Sequence, residues 1–216
     1  MIGDQKLKKP FLEKPINAED HEIYIHYSGN SPGGSGYSVL FRKTEDNCSQ
    51  FFPTNGKSAI RTDGSYLYEE FLPTDGFDIK VYTVGEDYAH AEARKCPSLD
   101  GKVQRDKTTG KEVRYPVNLS SWEKEIARRV SLEFRQEICG FDMLRSQGRT
   151  YVCDVNGFSF VKSSDKYYED CAYKIKKIIY KKLNLTWQTN CFDESDIEMP
   201  IKMKHNNSQI DPETAS

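Results

Sequence analysis

Apolar and polar positions alternate with a period of two through much of the first half of the chain. EIYIHY (22–27), SVLFRK (38–43), SYLYEEF (65–71) and FDIKVYTVG (77–85) read as strands, and YAHAEAR (88–94) extends the sheet. SGNSPGGSGY, between the first two strands, is too glycine-rich for a regular element, and a Pro-Thr-Asp-Gly turn joins the third to the fourth. The polar, charged stretch 95–115, with Gly101 and Gly110, reads as a long exposed loop. The period then changes. Ser120 and Glu123 form a capping box ahead of WEKEIARRVSLEFRQEI, where Ile126, Val130, Phe134 and Ile138 recur at helical spacing. A second helix over 165–182 carries Tyr168, Ala172, Ile175 and Ile179 on one stripe, and its lysines read as a solvated face. Beyond about Asn184 the chain is polar and irregular and reads as a flexible tail.

Between the two helices lies CGFDMLRSQGRTYVCDVNGFSFVK (139–162), two apolar segments joined by Ser-Gln-Gly-Arg, a hairpin signal. Each segment carries an aspartate where a core residue belongs. Strand alternation puts Asp154 and Asn156 on one face, and pairing about the turn brings Asp142 close to them. Two carboxylates and an amide in one place are costly without a cation between them. Two solvated aspartates on an edge hairpin satisfy the local pattern equally well.

Composition narrows the field. The chain has 216 residues, 37% hydrophobic and 30% charged, with a net charge of −2, which is the make-up of a soluble globular protein. No apolar run approaches membrane-spanning length, the opening MIGDQKLKKP lacks the apolar core of a signal peptide, and nothing global points to nucleic acid. Six cysteines include no C-x-x-C pair and no zinc spacing, so reduced thiols in the cytosol are expected.

Any anion-binding role must therefore come from local clusters. The glycine-rich loop has the backbone freedom to close over phosphates, although Gly56-Lys57-Ser58 lacks the upstream glycine of a P-loop. Tyr68-Glu69-Glu70-Phe71, at a strand end, offers backbone groups to an adenine edge. Basic residues sit at strands and strand ends: Lys14, Arg42, Lys43, Lys80, Arg94 and Lys162, with Arg105 and Arg114 in the long loop. A lysine inside FDIKVY must snorkel or find an anion. With the carboxylate cluster, these cations suggest Mg²⁺ on one side and phosphate groups on the other.

FLEKP, AEDH, LFRK, YLYEEFLPTDGFDIKVYTVG, YAHAEARK, LDGKV, GKEVRYPV, CGFDMLR and YVCDVNGFSFVKSSDKYY together resemble the diphosphoinositol pentakisphosphate kinase family over roughly residues 8–182. The resemblance implies an α+β ATP-grasp fold, two subdomains enclosing a nucleotide cleft, with ATP and Mg²⁺ as cofactors. It implies inositol hexakisphosphate and diphosphoinositol pentakisphosphate as substrates. Asp142, Asp154 and Asn156 would then hold the metal, with Val155 beside them. Lys14, His21 and Arg42 would contact ATP phosphates. Glu69, Glu70, Phe71 and Leu72 would form the adenine hinge, and Asp78, Ile79 and Lys80 would hold ribose and phosphates. Arg42, Lys43, Lys80, Arg94, Ser159, Phe160, Val161 and Lys162 would face the inositol phosphates, with Lys80, Arg105 and Arg114 at the transferring group. Cys96 departs from the family's usual serine beside the nucleotide, and a thiol is the weaker donor.

Residues 1–183 thus read as a partial ATP-grasp kinase domain and 184–216 as its polar tail. The family's upstream αβ segment and downstream phosphatase-like domain are expected to be missing. Two other functions share the same features. An ATP-grasp ligase joining a carboxylate to an amine would use the same metal hairpin, though it needs fewer cations. A non-catalytic inositol phosphate binder would need the cations alone.

Overall fold

A computed structural model describes residues 6–17, 19–31, 34–55, 60–162 and 164–186. The expected tail from 187 onward, Lys57 and Ser58, and part of the glycine-rich loop lie outside the described residues. Ten strands and three helices follow in order: β1 (Phe11–Pro15), β2 (Ile23–Tyr27), β3 (Gly36–Thr44), β4 (Asn47–Pro53), β5 (Tyr66–Glu70), β6 (Phe77–Val84), β7 (Ala89–Lys95), α1 (Pro97–Asp100), β8 (Tyr115–Pro116), α2 (Ser121–Glu133), β9 (Ile138–Ser146), β10 (Arg149–Asn156) and α3 (Asp165–Lys182). They form two five-stranded sheets, β4-β3-β2-β1-β5 and β10-β9-β6-β7-β8, the α+β architecture expected. The chain divides into two compact units. The first is Met1–Tyr82, His90–Asn118 and Cys139–Phe160, and the second is Thr83–Ala89, Leu119–Ile138 and Val161–Ser216.

In the first sheet, one face is aromatic. Antiparallel register puts Phe11 opposite His26, Glu13 opposite Tyr24 and His26 opposite Tyr37, so these side chains share a face. Glu13 and His26 are both fully buried there. Glu13 accepts from Arg61 Nε at 2.5 Å and from the Arg61 backbone N–H at 3.2 Å. The Arg61 guanidinium lies 4.0 Å from the Tyr24 ring centroid and 4.2 Å from that of Tyr66. Burial pushes the His26 imidazole below its ordinary value, against the pull of Glu13.

In the second unit, α2 starts at the expected capping box, with Ser120 Oγ accepting from the Glu123 N–H and Glu123 accepting from the Ser120 N–H. Sequence periodicity overran its end. Arg135, with φ 53°, turns the chain, and Ile138 opens β9 instead of closing a helical stripe. In α3 the ends match, but the buried face is one residue out of register: Tyr167, Cys171 and Lys174 are buried, while Tyr168 and Ile179 are exposed. The displacement has a physical cause. Lys174 sits against Asp87 at 3.3 Å, and Asp170 accepts from the Tyr88 hydroxyl, so polar pairs occupy core positions. The lysines are therefore not a uniformly solvated face.

The stretch 95–115 also differs from the expected open loop. It contains α1, and bridges Asn47↔Lys102 and Arg105↔Glu112 tie it to the β3–β4 turn and to itself. Gly101, at φ 71°, is buried against β4, and a Cβ there would lie 2.5 Å from the Ser49 carbonyl oxygen.

Candidate functional site

The β9–β10 hairpin turns through Gln147 and Gly148, whose φ values of 50° and 75° are the left-handed pair that a two-residue connection needs. From the turn, Arg149 pairs with Ser146 and Val152 with Met143. Continued unbroken, this register would place Asp154 opposite the buried Phe141, on the wrong face. A bulge at Cys153 inserts one residue, and Asp154 pairs with Asp142 instead. Asn156 pairs with Gly140, and its Nδ2 donates to Asp154 Oδ2 at 2.8 Å. The three oxygen-bearing side chains thus share one face, which the bulge and not alternation alone brings about. The Cys153 thiol donates to the Asp142 carbonyl, and crowding around its sulfur, then the Asp142 charge, pushes it up to about 12. Asp142, Asp154 and Asn156 offer a hard, all-oxygen donor set. That chemistry fits Mg²⁺.

Gly140 is needed for a close approach. A Cβ there would lie 2.6 Å from Ser159 Cβ, and the Gly140 N–H donates to the Gly157 carbonyl. The chain after β10 is thereby folded over the hairpin, bringing Ser159 to its start. Phe160 follows, packed edge-to-face on Phe158. Val161 and Lys162 belong to the second unit, Val161 buried and Lys162 exposed.

Cations and carboxylates form a connected set around the hairpin. Lys80 Nζ donates to Asp142 Oδ1 at 2.5 Å, so the strand lysine does find an anion. Arg94 Nε donates to Asp78 Oδ2 at 3.0 Å, and its Nη2 lies 3.8 Å from Asp142 Oδ2. Asp78 and its neighbour Ile79 are both buried on β6. Burial raises the Asp78 pKa, and the Arg94 charge opposes that rise. Asp78 Oδ1 is buried, and the Cys96 thiol hydrogen-bonds to the same carboxylate. Cys96 lies nearby, its Sγ 2.9 Å from Ser98 Oγ and its pKa raised, first by burial and then by the Asp78 charge.

Arg114 donates from Nη1 to the Tyr82 hydroxyl at 2.8 Å and from Nη2 to Glu112 Oε2 at 3.3 Å. Lys43 donates to the other oxygen of the same Glu112 carboxylate. Burial raises the Glu112 pKa, but Lys43, with Arg94 and Arg114, brings it below the ordinary value. Arg105 binds Asp46 Oδ1 at 2.6 Å and the Glu45 carbonyl at 2.9 Å, fastening the loop to the β3–β4 turn.

The remaining candidates are more dispersed. Lys14 meets Glu69 across the β1–β5 ladder at 2.5 Å, and β5 is an edge strand, so hinge residues Glu69–Leu72 border an open sheet edge. The Phe71 N–H is already given to the Pro10 carbonyl at 3.4 Å. Arg42 is exposed and paired with Glu19 at 3.4 Å, and His21 is exposed ahead of β2. Sequence reasoning missed the carboxylates that hold the cations, Glu112 and Glu92 above all. Glu112 and Arg114, two apart in GKEVRY, were the available signal.

Residues 29–179 match the RimK-like ATP-grasp domain. The chain is 58% identical over 182 residues to inositol hexakisphosphate and diphosphoinositol-pentakisphosphate kinase 2 of Xenopus laevis, covering 84% of this chain and 16% of that protein. It is 53% identical over 172 residues to the inositol hexakisphosphate and diphosphoinositol-pentakisphosphate kinase of Saccharomyces cerevisiae, covering 79% of this chain and 15% of that one. The chain therefore spans about one sixth of the length of these curated relatives.

Proposed function

The chain belongs to the RimK-like ATP-grasp family, and from that premise we propose that it contributes the ATP site and much of the acceptor site of an inositol polyphosphate kinase. The reaction is transfer of the ATP γ-phosphate to a phosphate group of inositol hexakisphosphate or diphosphoinositol pentakisphosphate. One observation carries the reading: Lys43 and Arg114 share Glu112, while Lys80 and Arg94 meet at Asp142, which stands opposite Asp154. A phosphate acceptor is already an anion and needs no general base. Its difficulty is the approach of two polyanions, and positioned cations lower that barrier.

Asp142, Asp154 and Asn156 would hold Mg²⁺, whose chemistry is to neutralise charge on the β- and γ-phosphates. Lys80 serves the phosphates next to that pair. Asp78, held by Arg94, would serve the ribose. The edge of β5 and Glu69–Leu72 take the adenine through backbone groups, as one strand takes another. Lys43, Arg94 and Ser159 face the inositol phosphates, Arg105 and Arg114 stand at the transferring group, and Lys14, His21 and Arg42 serve the ATP phosphates from the first sheet. Among the described residues no helix is long and apolar enough to cross a membrane, and a cytosolic setting is part of the same proposal.

The test is phosphate transfer from ATP to inositol hexakisphosphate, run against a panel of amino acids and peptides in the matching full-length protein, with Lys80→Ala as the variant. The reading expects a pyrophosphate product on the inositol and loss of turnover in Lys80→Ala. Acyl transfer to an amine, or turnover unchanged in the variant, would overturn it.

A further inference from the structure

Four lysines of α3 line a cleft within the second unit. The last turns of α3, the segment after α2 and the β6–β7 turn line this half-open cleft of about 600 Å³. That lies within the ~300–1,000 Å³ of ordinary small-molecule sites. Five of its lining side chains are cationic and three are carboxylates. Two of those carboxylates are already engaged: Asp87 by Lys174 at 3.3 Å, and Glu137 by Lys182 at 2.6 Å. The third, Glu86, faces Arg128 at 3.7 Å. Arg135 and Lys181 line the same cleft and carry no ion pair among the described residues. The balance is positive, in a chain whose net charge is −2.

The walls are built, not merely charged. Lys174 is almost fully buried, so its ion pair with Asp87 forms a fixed wall and not a waving surface lysine. Ser131 Oγ donates to the Gln136 carbonyl at 2.8 Å, and the Gln136 N–H donates to the Ser131 carbonyl at 3.0 Å, pinning this segment. The Gln136 carboxamide oxygen is buried with no partner among the described residues. Leu132 and Ile178 supply apolar surface. Gly85 keeps room beside them, since a Cβ there would lie 3.2 Å from Ile178 Cδ1.

We infer that this cleft is a second anion site, separate from the proposed catalytic one, and that it takes a small organic molecule bearing two or more phosphate groups. A single carboxylate ligand would add one more acid to three already present. A phosphate group brings two charges and several acceptor oxygens, and a guanidinium such as that of Arg135 engages it bidentately. The site shares no residue with the hairpin set, so the inference stands whether or not the kinase reading holds.

Hydrogen exchange on adding inorganic tripolyphosphate, and separately inositol hexakisphosphate, tests it, with isothermal titration alongside. Protection is expected in 131–137 and 174–182, at ionic strength matched with sodium chloride. Affinity for that event should fall at least tenfold in Arg135→Gln/Lys181→Gln and stay unchanged in Lys80→Ala. Both substituted positions are exposed, and a wild-type circular dichroism spectrum secures the comparison. Lack of protection in these segments would overturn the inference. So would unchanged affinity in the double variant, or equal protection by sulfate at the same ionic strength.

Discussion

Replacing Arg94 with leucine removes the guanidinium bonded to a buried carboxylate. Asp78 is 7% exposed, and Arg94 Nε is its hydrogen-bonded cation at 3.0 Å. Removing one partner of a buried pair costs about 3–5 kcal/mol, because the other charge is left uncompensated. For a chain of this size each kcal/mol is worth ~2–4 °C, so the melting temperature should fall by roughly 6–20 °C. The loss has a pH signature. Burial already raises the Asp78 pKa above 3.8, and Arg94 restrains that rise. Without Arg94 the folded-state pKa climbs further. A carboxyl with a raised folded pKa gives its full stability below its unfolded value, and loses it as pH rises through the folded value. The deficit of Arg94→Leu should therefore be small in acid and grow towards neutrality. Urea unfolding of both proteins across pH 4–8 measures it. Adding Asp78→Asn to Arg94→Leu should recover most of the loss, the coupling expected of a pair in contact. A deficit under ~1 kcal/mol at neutral pH, or one that does not change with pH, would refute the reasoning.

Other substitutions probe other parts of the molecule. Asp154→Ala should abolish Mg²⁺-dependent nucleotide binding with little change in melting temperature, since Asp154 is exposed and bonded only to the Asn156 amide within the hairpin; unchanged Mg-ATP affinity by titration would favour a solvated edge. Glu112→Gln frees Lys43 and Arg114 from a shared carboxylate, and should tighten inositol hexakisphosphate binding by about fivefold, roughly 1 kcal/mol, with a steeper salt dependence. A weaker complex at low salt would count against that role. Arg61→Ala strands the fully buried Glu13 and should cost about 3–5 kcal/mol in chemical unfolding, with nucleotide affinity kept at temperatures well below the melt.

What the sequence made legible was local. The Gln147-Gly148 turn, the Ser120 capping box and the limits of α3 each depend on residues a few positions apart, and each appears where its chemistry requires. Strands β1 and β4 were not expected. FLEKP is short and ends in proline, and NCSQFFP has no clean alternation, so only their neighbours in the sheet define them. The bulge at Cys153 leaves no mark in the residue pattern, yet it puts Asp154 on the face of Asp142. The buried face of α3 was misplaced because a lysine occupies a core position, held by an aspartate 87 residues away. The site cations were visible one by one. Their partners were not, because Lys80 meets Asp142 across 62 positions and Lys43 meets Glu112 across 69.

Those partners explain how so cationic a site exists in a chain of net charge −2. Each cation brought inward comes with a carboxylate, so that folding does not assemble uncompensated like charges. The same pairing orders long side chains before any ligand arrives and reduces the entropy lost on binding. It also sets up a competition. Asp142 holds Lys80 and approaches Arg94, and it stands opposite Asp154 in the proposed metal set. One carboxylate cannot serve an ammonium and a divalent cation at full strength together. Under the proposed function, Lys80 is released towards phosphate when Asp142 turns to the metal, so nucleotide and polyphosphate draw on one shared group. By linkage, whatever affinity one ligand gains from that exchange the other gains equally. Under the proposed function, the Lys80–Asp142 pair, in contact at 2.5 Å, is where binding of nucleotide and of polyphosphate would be energetically joined.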